Sequence, residues 1–548
     1  MVTVTIFRRT RRFRTVFAAG LLSVAGCAHL SQEKFVVAAA HPLAADAGYE
    51  VLSRGGSALD AAVAVQMVLG LVEPESSGIG GGAFLLYWSE RDKVLRSYDG
   101  REAAPAAARP DRFLKEDKTP MELAEAVFGG RSVGVPGAVR MLELAHRRHG
   151  KLAWREVFDA AIAAAEGGFP ASPRLHAQLS RETYLARDPE ALALFYQDAK
   201  AKPAGARIVN RAYADTLKRI RDGGADAFYR GEIARDIVRA VRAHSRPGDL
   251  TEADLAGYRA LEREPVCGPY RQWRVCSMGP PSSGGVAVLQ ILGLLQRTPF
   301  ARAPPHSADA VHLFSEAGRL AYADRAEYMG DPDFAVVPVK KLLDHSYLET
   351  RAKLIGERSM RLAVPGDTEA AGTSHFTIVD AEGNVASMTT TIEATFGSRV
   401  MVRGFLLNNQ LTDFDFTPGG ANQIAPGKRP RSSMAPTIVF GPDGRVHLAL
   451  GSPGGPNIIN YVSKSLVAML DWRMDAQAAA GSPNFGSRNG PTLIERGSFY
   501  ESLRNELEKR GHSVEASPLV SGVHAVERIP GGWRGGADPR REGAVRGR

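Results

Sequence analysis

Apolar residues fill nearly every position of 57–72 (SALDAAVAVQMVLGLV), which predicts a helix buried on all sides with Ser57 as its N-cap. The glycine run 78–82 (GIGGG) predicts a tight turn, and Ala83–Trp88 a strand after it. Residues 136–150 predict a second helix, with Pro136 in its first turn and Gly150 closing it. Between about 140 and 260 the chain is rich in Ala, Leu, Arg and Glu and reads as mostly helical. There Thr251-Glu252-Ala253-Asp254 resembles a capping box. From about 262 the texture changes to strand, with Pro265–Ser277 a hairpin, and 306–328 returns to helix. Beyond Gly372 the period drops to two. His375–Asp380 (HFTIVD) and Val385–Ile392 (VASMTTTI) predict paired strands across the turn Ala381–Asn384. Thr437–Phe440 and Arg445–Leu450 predict two more, running into Gly451-Ser452-Pro453-Gly454-Gly455. Strands flanked by helices, without strict βαβ alternation, predict a mixed α/β chain with no internal repeat and no long linker.

Composition narrows the function classes. With 44% apolar and 24% charged residues in 548, wholesale disorder is excluded, and 57 glycines argue against a helical bundle. Outside the N-terminus nothing approaches the roughly 18–20 unbroken apolar residues of a membrane span, which excludes a polytopic membrane protein. The net charge of +9 owes more than half to Arg8, Arg9, Arg11, Arg12 and Arg14. The remaining basic residues form no stripe interleaved with aromatics, so no nucleic-acid partner is predicted. Those arginines and the apolar run Val16–Gly26 predict an export signal over residues 1–26. Val24-Ala25-Gly26-Cys27 resembles a bacterial lipobox, so Cys27 is the expected lipidation site; the alternative is an ordinary signal peptide with an incidental cysteine. A lipid anchor, by analogy in the outer membrane, or a soluble periplasmic protein follows. Cys267 and Cys276 lie symmetrically in the predicted hairpin, and export to an oxidising compartment would allow a disulfide between them; the alternative is two reduced buried thiols, because directly opposed strand cysteines often have strained geometry. CxxC pairs and HExxH are absent and the histidines have no ligand spacing, so no metal and no cofactor is expected. The glycine run follows a helix and precedes a strand, the reverse of the nucleotide-binding order.

The chemistry concentrates after Gly372. A threonine hydroxyl is a poor nucleophile and needs a base. Its own α-amine, with an ordinary pKa of about 7.7–8.0, can serve if Thr373 becomes an N-terminus. Cutting Gly372–Thr373 supplies that amine. The same hydroxyl can make the cut by attacking the preceding carbonyl, where glycine offers no side chain in the way.

Here the sequence resembles the γ-glutamyltransferase family of N-terminal nucleophile hydrolases. The resemblance rests on Thr373-Ser374-His375-Phe376-Thr377, Gly383-Asn384, Thr389-Thr390-Thr391-Ile392-Glu393, Phe396-Gly397 and 407–414 (LNNQLTDF). It continues through 428–434 (KRPRSSM) and Gly451-Ser452-Pro453-Gly454-Gly455. Earlier matches are 55–63 (GGSALDAAV), Asp99-Gly100-Arg101-Glu102 and 279–285 (GPPSSGG), and the last is Asp538-Pro539-Arg540.

The resemblance implies a four-layer αββα sandwich made as a precursor and cut into a large piece (28–372) and a small one (373–548). Thr373 would be the self-processing nucleophile and Thr391 its hydrogen-bonding partner. Arg101, Ser432 and Ser433 would bind the substrate α-carboxylate; Asp413, Glu393 and Gln410 would hold the α-ammonium. The N–H groups of Gly454 and Gly455 would form the oxyanion hole. The implied reaction is γ-glutamyl transfer from amides such as glutathione to water, an amino acid or a peptide. Many relatives carry Asn at the Glu393 position, and the segment 414–431 is short beside members that fold a lid there, which implies an open leaving-group side. The alternatives are a glutaryl or cephalosporin-type acylase with the same nucleophile and a non-catalytic lipid-anchored binding protein.

Overall fold

The computed structural model describes residues 1–2, 34–360 and 371–547, with backbone only at 371 and 372. The arginine-rich leader and Cys27 therefore lie outside the described residues. Two large sheets dominate the described residues, and within each of them every neighbouring pair is antiparallel. The first has seven strands. Val385–Ala394 sits in its middle, between Ala371–Val379 and Gly82–Ser89; Val36–Ala39 and Ala544–Gly547 lie beyond one side, Val94–Gly100 and Leu261–Arg263 beyond the other. The second has six, ordered Gly532–Ala537, His524–Ile529, Val446–Gly451, Thr437–Phe440, Trp273–Ser277 and Val266–Tyr270.

The two sheets pack face to face through a small apolar layer. Val36, Leu86, Trp88 and Val385 come from one sheet, Ile438, Phe440, Val446 and Val526 from the other. The outer face of the first sheet is covered by helices Pro42–Ser53 and Ala58–Val72, that of the second by Gly284–Leu295, Ala308–Tyr328 and Ile458–Leu470. The architecture is the expected αββα sandwich.

Local signals explain these elements. Helix Ala58–Val72 is buried at every residue, and Ser57 caps it in a reciprocal box with Asp60. Thr251 and Asp254 form the second box, as predicted. The helix expected over 136–150 runs Ala138–His149. Pro136 therefore precedes the N-cap Gly137 rather than occupying the first turn. Its carbonyl accepts the Tyr229 hydroxyl at 2.9 Å, while the Gly137 N–H bonds the Gly81 carbonyl at 2.9 Å, so the chain enters the helix already anchored on both sides. In the hairpin Cys276 pairs directly with Cys267, and the disulfide is formed.

Candidate active site

Strand alternation decides which side chains can meet. On Ala371–Val379, Phe376 and Ile378 turn into the helical core, while His375 turns toward Gly451 of the second sheet. Thr373 shares the His375 face and stands near the strand's beginning. The pairing slips between Gly372 and Thr373: Gly372 faces Glu393, but Thr373 faces Thr391, so Ile392 is an extra residue. Such a bulge re-aims side chains. It brings Thr373 Oγ1 to 3.2 Å from Thr391 Oγ1, which also accepts the Glu393 N–H at 2.8 Å. Glu393 takes a left-handed φ of 78° there, a conformation unusual for a side-chain-bearing residue. The glycine turn presses against the same spot. A Cβ on Gly81 would lie 2.0 Å from the Thr391 carbonyl oxygen, so only glycine fits.

These threonines open on a cavity of about 1320 Å³. Its walls include Thr373, Thr391, Arg101, Glu393, Gln410, Asp413, Ser432, Ser433 and Gly455. One cavity thus collects nearly every candidate from positions spread over 350 residues of sequence. Gly454 stands immediately behind Gly455 at the turn that leads into helix Ile458–Leu470. Its φ of 138° and a Tyr461 ring carbon 2.4 Å from where a Cβ would sit exclude any side chain.

Arg101 and Asp413 pair with each other. The Arg101 side chain is 1% exposed, and its fork is fixed by the carbonyls of Pro430 (3.1 Å) and Arg431 (3.0 Å) as well as by Asp413. Gln410 Nε2 donates to the same Asp413 oxygen at 2.6 Å. Segment 407–414 holds its neighbours in register. Asn408 bonds the carbonyls of Gly80 (2.8 Å) and Gly134 (2.9 Å), and Asn409 donates to Glu393 and to Thr412. Asp99 joins the two segments that carry the cationic wall, accepting Arg429 Nη1 at 2.5 Å and the Arg101 N–H at 2.8 Å. Ser432 Oγ accepts the Met434 N–H at 3.1 Å. Ser433 Oγ accepts Arg325 Nη2 at 2.9 Å.

Arg325 escaped the sequence reading. It lies on helix Ala308–Tyr328, lines the cavity and also donates to Ser283 at 2.8 Å. Glu102 sits beside Arg101, and burial pushes its carboxyl up to about 8 against the pull of that guanidinium. Asp413, rather than Glu102, is therefore the charged partner of Arg101 near neutrality. His375 hydrogen-bonds Thr389 (2.8 Å) and Thr377 (3.1 Å), and burial, then His524, holds it well below the usual imidazole range. A ring kept neutral in this way ties the strand together through its two threonine partners.

The short segment 414–431 is only part of the cavity wall. Phe414 to Thr417 line it, with Phe416 stacked on Phe113 at 4.6 Å between centroids. A second wall comes from Pro120–Leu123, Ala124, Val127 and Phe128, which no motif marked. Elsewhere the fold gathers His312, Glu316 and His512, with ligand atoms within 4.8 Å of one another. The two rings hydrogen-bond each other at 2.7 Å, and Glu316 accepts from Arg319, Ser359 and Met360, so these atoms fasten the chain around 356–360.

The profile of the γ-glutamyltranspeptidase family matches residues 44–547. The chain belongs to the γ-glutamyltranspeptidase family. It is 36% identical over 535 residues to a glutathione hydrolase proenzyme of Bacillus subtilis, covering 93% of this chain and 91% of that one. It is equally, 36%, identical over 519 residues to an acylase ACY 1 proenzyme of a Pseudomonas species, covering 92% of each. Among solved structures, a cephalosporin acylase from Bacillus halodurans superposes with a TM-score of 0.83 at 27% identity, over 94% of this chain and 96% of that one. The fold and the enzyme class of this family member agree with the sequence reading; both the hydrolase and the acylase branches are among its relatives.

Proposed function

We propose that the protein is a self-processing γ-glutamyltransferase and hydrolase whose nucleophile is Thr373. The observation that carries this reading is the Thr373–Thr391 hydroxyl pair, 3.2 Å apart, in one cavity with the Arg101–Asp413 ion pair. In the precursor Thr373 Oγ1 attacks the Gly372 carbonyl, the C–N bond breaks, and water releases the ester to leave a free amine on Thr373. In turnover the hydroxyl proton passes to that amine as Oγ1 bonds the γ-carbonyl carbon. The same proton then goes to the departing amine. A donor end carrying both an α-carboxylate and an α-ammonium matches a wall offering a guanidinium and a carboxylate side by side. Arg101 with Ser432 and Ser433 takes the first, Asp413 with Gln410 and Glu393 the second. Gly454 and Gly455, at the N-terminus of a helix, supply N–H groups for the tetrahedral oxyanion.

The products of processing are the large piece ending at Gly372 and the small piece 373–548. Cys27 is the proposed lipid anchor; no helix among the described residues is long and apolar enough to cross a membrane. Release of amine from a γ-glutamyl anilide, with and without a dipeptide acceptor, tests the reaction. Turnover that rises with acceptor supports transfer, and no release at all refutes the assignment. Acylase relatives favour one competing reading, hydrolysis of glutaryl amides, which lack the ammonium; the γ-glutamyl to glutaryl ratio separates the two.

A further inference from the structure

Behind the nucleophile lies a buried group of charges that the reaction as described does not use. Arg541, from the C-terminal segment, donates Nη1 to the Thr373 carbonyl at 2.9 Å. Glu73, at the C-terminal end of helix Ala58–Val72, accepts the Ser374 hydroxyl at 2.7 Å. Arg174, on helix Pro173–Arg181, lies 3.2 Å from Glu75 and 3.9 Å from Glu73. Glu73 and Glu75 are each 1% exposed and Arg541 is 8% exposed.

We propose that Arg541 is a positioning residue for the chemistry at Thr373: it fixes the Thr373 carbonyl and, through its charge, keeps the α-amine of the matured Thr373 in the proton-accepting form near neutrality. The inference rests on Thr373 being the nucleophile. A guanidinium bonded to a residue's own carbonyl sits roughly 5–6 Å from that residue's nitrogen, close enough for a like charge to disfavour an ammonium there. Burial removes most of the solvent screening that would weaken the effect.

The surrounding acidic groups offset that field only in part. Burial lowers Arg541 only to about 10, so it stays cationic. Burial raises Glu75 to about 7, against the pull of Arg174. Below about 7 Glu75 is therefore largely protonated, which leaves Glu73 and Asp538 as the acidic groups facing the two arginines. Asp538 acts on Arg541 from the C-terminal segment. On the cavity side Thr373 shares the space with Arg101, Asp413 and Glu393, and the walls further out carry Arg325, Arg399, Arg431, Arg488, Glu122 and Asp415.

The test is the acidic limb of kcat/KM against pH, where activity rises as the amine loses its proton. In the native enzyme the limb should fall below about 7.7, the ordinary lower value for an α-amine. Arg541→Gln removes the cation, so the amine's pKa rises and the limb moves up by roughly half a pH unit or more. Arg541→Lys keeps the charge and should keep the limb near its native position. Where Arg541→Gln does not mature, Glu73→Gln carries the test. Loss of one opposing acidic group strengthens the net cationic field and moves the limb down. A native limb at or above about 7.7 overturns the proposal. So does a matured Arg541→Gln enzyme with a native limb, or an unmoved or raised limb in Glu73→Gln. A purely structural role would lower kcat in these variants without displacing the limb. An active Thr373→Ala protein would instead sink the assignment of the nucleophile.

Discussion

Replacing Asp413 by Asn keeps shape and removes one charge, and it separates the two branches of the family. Asp413 is the charged partner of Arg101 and receives Gln410 at 2.6 Å. In the proposed complex it also accepts from the α-ammonium of a γ-glutamyl donor. A hydrogen bond to a charged partner contributes about 1.5–3 kcal/mol, the range expected for the half-buried Asp413 carboxylate facing an ammonium. Since about 1.4 kcal/mol is tenfold, kcat/KM for a γ-glutamyl anilide should fall by roughly 10- to 150-fold. A glutaryl anilide, which presents the carboxylate but no ammonium, should lose much less. Its carboxylate still meets Arg101, whose fork remains held by the carbonyls of Pro430 and Arg431. The readout is the ratio of the two kcat/KM values, which cancels any general loss of folded enzyme. A ratio within twofold of native would refute both the ammonium site and the reasoning from paired charges.

Other predictions follow from single features. Arg101→Lys, which keeps the charge but not the planar fork, should lower kcat/KM about tenfold or more for both anilides; equal activity would remove Arg101 from the site. Glu102, raised to about 8, is protonated when folded but ionised when unfolded between its ordinary 4.5 and that value, so stability falls as pH rises through this window. The melting-temperature advantage of Glu102→Gln should therefore grow from pH 4.5 to 8, and a pH-independent difference would contradict it. Thiol counting on denatured, unreduced protein should find Cys267 and Cys276 blocked; two free thiols there would refute the bridge. The cavity exceeds the roughly 300–1,000 Å³ of ordinary small-ligand sites, so bulky γ-glutamyl amides should be turned over. Ala124→Trp, in the unmarked wall, should slow them more than glutathione, and equal losses would show that this wall does not bound the leaving group.

Much of this arrangement was legible in the chain. The all-apolar run after Ser57 could only be a buried helix, and the two-residue period after Gly372 marked the paired strands His375–Asp380 and Val385–Ile392, while the resemblance paired Thr373 with Thr391. The resemblance supplied the identities of Arg101, Asp413 and the diglycine, which local pattern alone would read as surface charge and turn. The bulge at Ile392 was not legible, because a one-residue slip leaves no mark in composition and depends on how Glu393 and Asn409 pack. Helix Gly284–Leu295 was hidden behind the turn-like run 279–285, and its own residues are apolar on every side. Long-range charge placement was equally silent. Arg541 meets Thr373 across 168 positions and Arg325 meets Ser433 across 108, contacts that only the closed sandwich creates.

The central claim is that Thr373 cuts its own chain and then does the chemistry, and Thr373→Ala on a denaturing gel tests it most directly. The native protein should resolve into two bands, the smaller the carboxy-terminal third beginning at Thr373, with γ-glutamyl anilide activity in the same preparation. Thr373→Ala should run as one full-length band and release no amine. A Thr373→Ala protein that still divides between residues 372 and 373, or that still turns over the anilide, would contradict the account.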